Sequence, residues 1–274
     1  MRLHKGIRNI FQKHCSPFHE ITTPEVTEKH HKYQPRQRNH NINHMTTIRT
    51  HKFYDFNIHA APECENSPEK LAEIASGYGY AGIAITNHTP HPPRVPKTTD
   101  YAGIRIYSGV EIVAKNPTHL MQMIRKHRGK ACVLAVHGGD EKINRAAVES
   151  HDVDILSHPG ERLNQVLMRF ASVNRVAIEF NLDSIIKVRG RERVRALAEF
   201  RHNLKLARKY GAPMILTSNA QSIYDLRAPR EMIALASVFG MTEEEAIGAL
   251  STVPGEIVSR GSDKWIMEGV KIVG

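Results

Sequence analysis

From Lys52 onward the chain alternates short apolar runs with longer amphipathic stretches. The runs at 53–58, 82–86, 104–113, 131–137, 154–157, 175–182 and 213–218 have strand length and are rich in Val, Ile, Ala and Phe, so seven strands are expected. Helices are expected between them. Ser67-Pro68-Glu69 reads as an N-cap followed by proline at the first helical position, after which Leu71, Ile74, Ala75 and Tyr78 keep helical spacing up to the glycines at 77 and 79. The stretch 191–210 sets Val194, Leu197, Ala198, Leu204, Leu206 and Ala207 along a face and stops at Gly211. Thr242 with Glu245 makes a capping box for a late helix. Strand followed by helix, repeated about seven times, argues for parallel strands joined by helical crossovers.

Such a chain closes into a barrel or opens into a doubly wound sheet, and two features favour closure. No G-x-G-x-x-G or Walker loop follows any strand, as in many open nucleotide-binding sheets. In addition, Asn57, His59, Asn87, His88, Glu111, His137, His158, Asn181 and Asn219 all fall at the C-terminal ends of expected strands, where a barrel carries its functional mouth. The expected architecture is therefore α/β, a TIM-like (β/α) barrel of seven strands forming a single domain over 52–274. The tail at 265–273 is expected to add a final strand or a lid.

The polar residues come in short motifs: D-F-N-I-H at 55–59, I-T-N-H at 85–88, G-V-E at 109–111, S-H-P at 157–159 and T-S-N-A-Q at 217–221. Together they resemble the polymerase-and-histidinol-phosphatase (PHP) class of metal phosphoesterases, whose pattern runs D-x-H-x-H, I-T-D-H, G-x-E, H-P and D-A-H. Asn57 stands for its first histidine, Asn87 for an aspartate, and Asn219 with Gln221 for the last pair. A closer resemblance, continuous from about Phe53 to Val270, is to the ribonuclease P protein component 3 family. It is carried by F-Y-D-F-N-I-H-A, G-Y-A-G-I-A-I-T-N-H and, most specifically, S-I-Y-D-L-R-A-P-R-E-M-I-A-L-A.

That resemblance implies a subunit of the ribonucleoprotein that removes 5′ leaders from precursor tRNA. The ribonuclease P RNA would perform the hydrolysis with bound magnesium, and the polypeptide would carry no cofactor. It also implies protein component 2 as direct partner, with components 1 and 4 elsewhere on the particle. The residues agree with a non-catalytic role, since multinuclear phosphoesterase sites depend on bridging carboxylates and an asparagine offers only a neutral oxygen. His59, His88, Glu111, His137 and His158, with Asp55 nearby, could still hold one borderline metal such as zinc. The reading adopted is a hydrogen-bonded polar layer with no catalytic residue and no resident metal. The alternative is a metal-dependent PHP-like phosphoesterase or nuclease with a reduced ligand set; a small-molecule binding barrel is a third.

Charge adds a partner class. Residues 1–52 hold ten Lys/Arg against three Asp/Glu, so this leader supplies +7 of the +10 total, together with eight of the seventeen histidines. Having no helical or strand period, the extension at 1–51 is expected to be disordered, either a basic arm for nucleic acid or a segment ahead of a true start at Met45. Within the barrel, a cation at a helix start opposes the macrodipole and needs another reason to be there. Arg94, Lys97, Arg162, Lys187, Arg189, Arg191, Arg193, Arg227 and Arg230 hold such positions, and all would emerge from βα loops as a candidate RNA-binding set. Three cysteines without C-x-x-C spacing suggest no disulfide framework. No apolar run is long enough to span a membrane and no signal peptide is evident, so a cytoplasmic protein is expected.

Overall fold

The computed structural model describes residues 51–92, 95–160, 163–261, 265–267 and 270–271; residues 1–50 of the basic extension, Arg94 and Arg162 lie outside them. Seven parallel strands form one curved sheet: β1 (Phe53–Ile58), β2 (Tyr80–Ile85), β4 (Ile104–Ile112), β5 (Val133–His137), β6 (Ile155–Ser157), β7 (Ala177–Asn181) and β8 (Met214–Thr217). The sheet nearly closes. Between β8 and β1 the ladder reduces to the Ile58–Ala220 bridge, where His59 N–H donates to the Ala220 carbonyl at 2.8 Å. Asp55 reinforces the seam from below by accepting from Ser218 N–H.

The helices lie outside. They are α1 (Pro68–Gly77), α2 (Pro117–His127), α3 (Glu141–Val148), α4 (Gln165–Val173), α5 (Asp183–Ile186), α6 (Gly190–Tyr210), α7 (Pro229–Ser237), α8 (Glu243–Leu250) and α9 (Thr252–Gly261). Their boundaries follow local chemistry. Ser67 accepts from Lys70 N–H at the start of α1, Thr242 and Glu245 close a reciprocal capping box on α8, and Gly211 ends α6 with φ 66°. Among the described residues no helix is long and apolar enough to cross a membrane.

Period-two alternation divides the core into two shells. Along β5, Leu134 and Val136 join the outer shell with Leu120, Ile124 and Ile143 of the helices. Val133 and Ala135 face inward with Phe56, Ala84, Tyr107, Ile155, Ala177 and Ile215. Alanine recurs there because a seven-stranded barrel is narrow. Gly109 shows the limit, since a Cβ at that position would meet Thr86 Cγ2 at 2.6 Å and the Ile85 carbonyl at 3.0 Å. The interior is completed from α9, whose Ile257 is buried against these strands with Val253 and Val258 beside it.

Two elements differ from expectation. β3 (Thr98–Tyr101) pairs antiparallel with β4 as an outer flap; its residues are largely exposed and polar, so no apolar alternation announces it. The tail does not add a barrel strand. Its β9 (Trp265–Met267) and β10 (Val270–Lys271) pair only with each other, in a separate antiparallel ribbon.

Candidate functional site at the barrel mouth

A register break in β1 between Asp55 and Ile58 restarts the inward alternation. Phe56 therefore lies in the apolar interior, while Asn57 and His59 both enter the polar layers above it. In the lower polar layer the buried Glu179 of β7 accepts from Asn57 Nδ2 at 2.7 Å, Thr217 Oγ1 at 2.6 Å and His158 N–H at 2.9 Å. Thr86 Oγ1 then donates to Asn57 Oδ1, so this amide is engaged at both ends. Asn87 is similarly committed. Its Oδ1 accepts from Ala60 N–H and its Nδ2 donates to the Ala60 carbonyl, both at 2.8 Å, an arrangement a carboxylate could not reproduce.

Above this layer, imidazoles gather around one carboxylate. Glu111, carried by β4 and fully buried, accepts from His137 Nδ1 at 2.6 Å through Oε1. The same oxygen lies 3.6 Å from His88 Nε2 and 3.9 Å from His158 Nε2. Among the described residues Glu111 Oε2 has no hydrogen-bond partner, and it lies 4.0 Å from His59 Nε2. The His59 and His88 rings stack with centroids 4.6 Å apart, and His59 Nε2 lies 3.2 Å from Asn219 Oδ1. His158 and Asn219, just past the ends of β6 and β8, adopt positive φ (44° and 51°), strained backbone that occurs here at the rim.

Glu63, from the turn after β1, closes the ring from behind. Its Oε1 accepts a hydrogen bond from His88 Nδ1 at 2.6 Å and lies 3.4 Å from His59 Nδ1. Burial would raise the Glu63 carboxyl, but the nearby His59 and the hydrogen bonds from His88 outweigh it and hold the group down at about 2. Glu111 is likewise held well below the usual carboxylate range. Burial opposes ionisation there too, and the hydrogen bonds from His137 and His88, then the charge of His158, overcome it. Bonding to Glu111 pushes His88 up to about 9 against the effect of burial, and Glu63 adds to the rise. One ligand atom each from His59, His88 and Glu111 falls within 4.8 Å of the others, as does a second group of Glu111, His137 and His158. Gln221 stays outside this cluster, exposed, with its backbone N–H on Asp225.

The cations sort into two kinds. Lys187 bridges Asp183 at 3.1 Å and Asp225 at 3.2 Å, Arg193 donates to the carbonyls of Val188 and Ile186, and Arg227 folds back onto those of Tyr224 and Leu226. These serve the local fold. Lys97 is drawn away from the rim: its carbonyl accepts from Ser108 N–H and Cys132 Sγ, and Cys132 precedes β5, at the end opposite the mouth. Arg189 and Arg191 at the start of α6 and Arg230 at the start of α7 are exposed, with no ion pair or hydrogen bond among the described residues. The Lys187–Asp225 bridge ties the approach to α6 to the loop ahead of α7.

A family model described as RNase P subunit p30 matches residues 52–265. The chain belongs to that family. Ribonuclease P protein component 3 of Methanococcoides burtonii is 51% identical over 227 residues, covering 80% of this chain and 93% of the relative. The component 3 protein of Methanosarcina mazei is 42% identical, covering 81% and 96%. A chain in a cryo-EM structure of archaeal ribonuclease P with mature tRNA superposes with a TM-score of 0.67 at 27% identity, covering 81% of this chain and 98% of that one.

The motifs of this p30-family barrel point to the histidines and Glu111 but not to the two supporting carboxylates. Glu179 left a signal, a charged residue in the middle of the apolar run at 177–181, which a two-sided buried strand would not ordinarily carry. Glu63 left none. It sits in a P-E-C-E-N turn that reads as solvent-facing, and only the fold returns it to His59 and His88.

Proposed function

We propose that this barrel, as a protein subunit of ribonuclease P, supports the catalytic RNA in removing 5′ leaders from precursor tRNA and does not itself perform the hydrolysis. The observation that carries the non-catalytic part is the commitment of the amides. Asn57 and Asn87, at positions where a phosphoesterase would place metal ligands, are used up in hydrogen bonds to Glu179, Thr86 and Ala60. Each amide is held in place at both ends, and the acceptor capacity left on its oxygen is that of a neutral, weakly donating group that cannot bridge metals as a carboxylate does.

On this reading the exposed Arg189, Arg191 and Arg230, without partners among the described residues, meet RNA phosphates, releasing condensed counterions and easing the approach of RNA helices. The chain carries +10, but +7 of it lies in the leader, so the barrel alone binds RNA weakly and needs a protein partner. Component 2 fills that place, with components 1 and 4 elsewhere on the particle, magnesium bound to the RNA, and assembly in the cytoplasm.

Reconstituting precursor-tRNA cleavage at low magnesium from RNA and proteins tests this. Replacing Arg189, Arg191 and Arg230 together by alanine is expected to weaken assembly and to lower the slope of log affinity against log salt by roughly 0.7–0.9 for each phosphate no longer neutralised. An unchanged slope removes these residues from the RNA face. Cleavage of precursor tRNA by the polypeptide without RNA, abolished by Glu111→Gln, would establish the phosphoesterase alternative instead.

A further inference from the structure

We infer that the ring of Tyr224 is a stacking platform for one unpaired base of the ribonuclease P RNA, with Arg189, Arg191 and Arg230 on the flanking phosphates. This rests on the RNA-support reading above and adds to it a contact with a base rather than with the backbone.

Tyr224 is 82% exposed, the most of any large apolar or aromatic side chain among the described residues. A single exposed apolar residue is ordinary on a protein surface. What sets this one apart is how firmly its loop is held. Ile223 packs against the core and its N–H donates to Asn66 Oδ1 at 3.1 Å, while Leu226 is buried. Asp225 closes the turn between them: its N–H donates to the Ser222 carbonyl, and its Oδ2 accepts from Ser222 Oγ at 2.9 Å and Gln221 N–H at 3.2 Å. Arg227 Nη1 donates to the Tyr224 carbonyl at 2.8 Å, and the Arg227 carbonyl accepts from the buried Tyr80 hydroxyl at 2.8 Å. A loop fixed at so many points presents its ring with little freedom left to lose on binding.

Position and charge select the partner. Tyr224 lies between β8 and α7, Arg230 opens α7, and Arg189 and Arg191 open α6, which follows β7, the strand paired with β8. All four therefore stand on one sector of the C-terminal rim, where the Lys187–Asp225 bridge joins the two loops beside Tyr224. Lys187 offsets Asp183 and Asp225, and Glu231 accepts from Ala228 N–H, which leaves Glu192 set against three cations. Single-strand sites combine cations for the phosphates with an aromatic face for the base. An aromatic anchor for a protein partner sits instead among further apolar residues that keep water out, whereas the other exposed side chains here, Gln221, Lys187, Arg189, Arg191 and Arg230, are polar or charged. Both faces of the barrel sheet are occupied, one by the interior and the other by the helices, so a ring offered to a base has to come from a loop.

The test measures binding of the full chain, paired with component 2, to ribonuclease P RNA across a salt series, with no tRNA present. Tyr224→Ala is expected to lower affinity roughly 5–150-fold at every salt concentration and to leave the slope of log affinity against log salt unchanged, because no phosphate contact is lost. Tyr224→Trp is expected to retain binding, and Tyr224→Leu, apolar but without a ring face, to resemble alanine. The melting temperature of each variant chain should match the parent, since the side chain is outside the core. Parent-like RNA affinity in Tyr224→Ala would overturn the inference, as would full rescue by leucine. Two other results would also overturn it: loss of component 2 binding in the absence of RNA, which makes the ring a protein anchor, and a defect confined to KM for precursor tRNA, which moves the contact to the substrate. Failure of the parent pair to bind the RNA at all would sink the support reading itself, an outcome distinct from a bound parent that is indifferent to Tyr224.

Discussion

Asp55 offers a quantitative check on the barrel seam. Its side chain is fully buried, its hydrogen bonds from Ser218 N–H (3.3 Å) and Asn57 N–H (3.4 Å) are long, and Glu179 is a like charge nearby. Burial is the largest influence and pushes the carboxyl up from 3.8 to about 6, with the Ser218 and Asn57 bonds opposing it. A folded-state pKa above the unfolded value means a stability contribution that is complete below about 3.8 and lost as pH rises through about 6. At roughly 1.4 kcal/mol per unit, the ionised group costs the fold about 3 kcal/mol at neutral pH. Asp55→Asn keeps an acceptor and abolishes the titration, though its new amide N–H₂ needs a partner. That second cost does not vary with pH, so the diagnostic is the change in the difference between the two proteins. Urea unfolding at about pH 4 and about pH 7 should show the variant gaining about 2 kcal/mol on the parent across the interval, or roughly 4–8 °C in melting temperature. Any other titration common to both proteins cancels in the difference. Parallel stability profiles would refute the placement of an ionised Asp55 in a dry seam.

Two further expectations probe the polar layer and the interior. Asn87→Asp, which restores the carboxylate of a phosphoesterase motif, removes the donor to the Ala60 carbonyl and should destabilise the fold by about 1–3 kcal/mol in urea unfolding without creating phosphodiesterase activity; a stable, hydrolytically active variant would show that the amide is not structural. Ile257→Ala, at the α9 closure of the interior, should cost about 2–5 kcal/mol in the same measurement, and a loss below about 1 kcal/mol would mean that α9 does not seal the barrel.

Much of the fold is encoded between near neighbours and is legible in the linear chain. Apolar runs of strand length mark the seven parallel strands within a few residues, and the caps at Ser67 and Thr242 and the stop at Gly211 are chemistry between residues at most three or four apart. The motifs placed His59, His88, Glu111, His137 and His158 at strand ends, and the strand-then-helix order implied that those ends meet. The polar flap β3 escaped because its exposed residues carry no alternation.

The pairings across the barrel needed the closed fold. Asn57 finds Glu179 across 122 residues and His59 finds Asn219 across 160, so neither partner could be assigned by spacing. The same closure set Glu63 behind two histidines, left one Glu111 oxygen unmatched, and tied Lys187 to Asp225 while leaving Arg189, Arg191 and Arg230 without partners among the described residues. The division is one of range. Periodicity and capping act within a helical turn or a strand pair, whereas the desolvation and pairing of a charge depend on every element that the closed barrel brings against it.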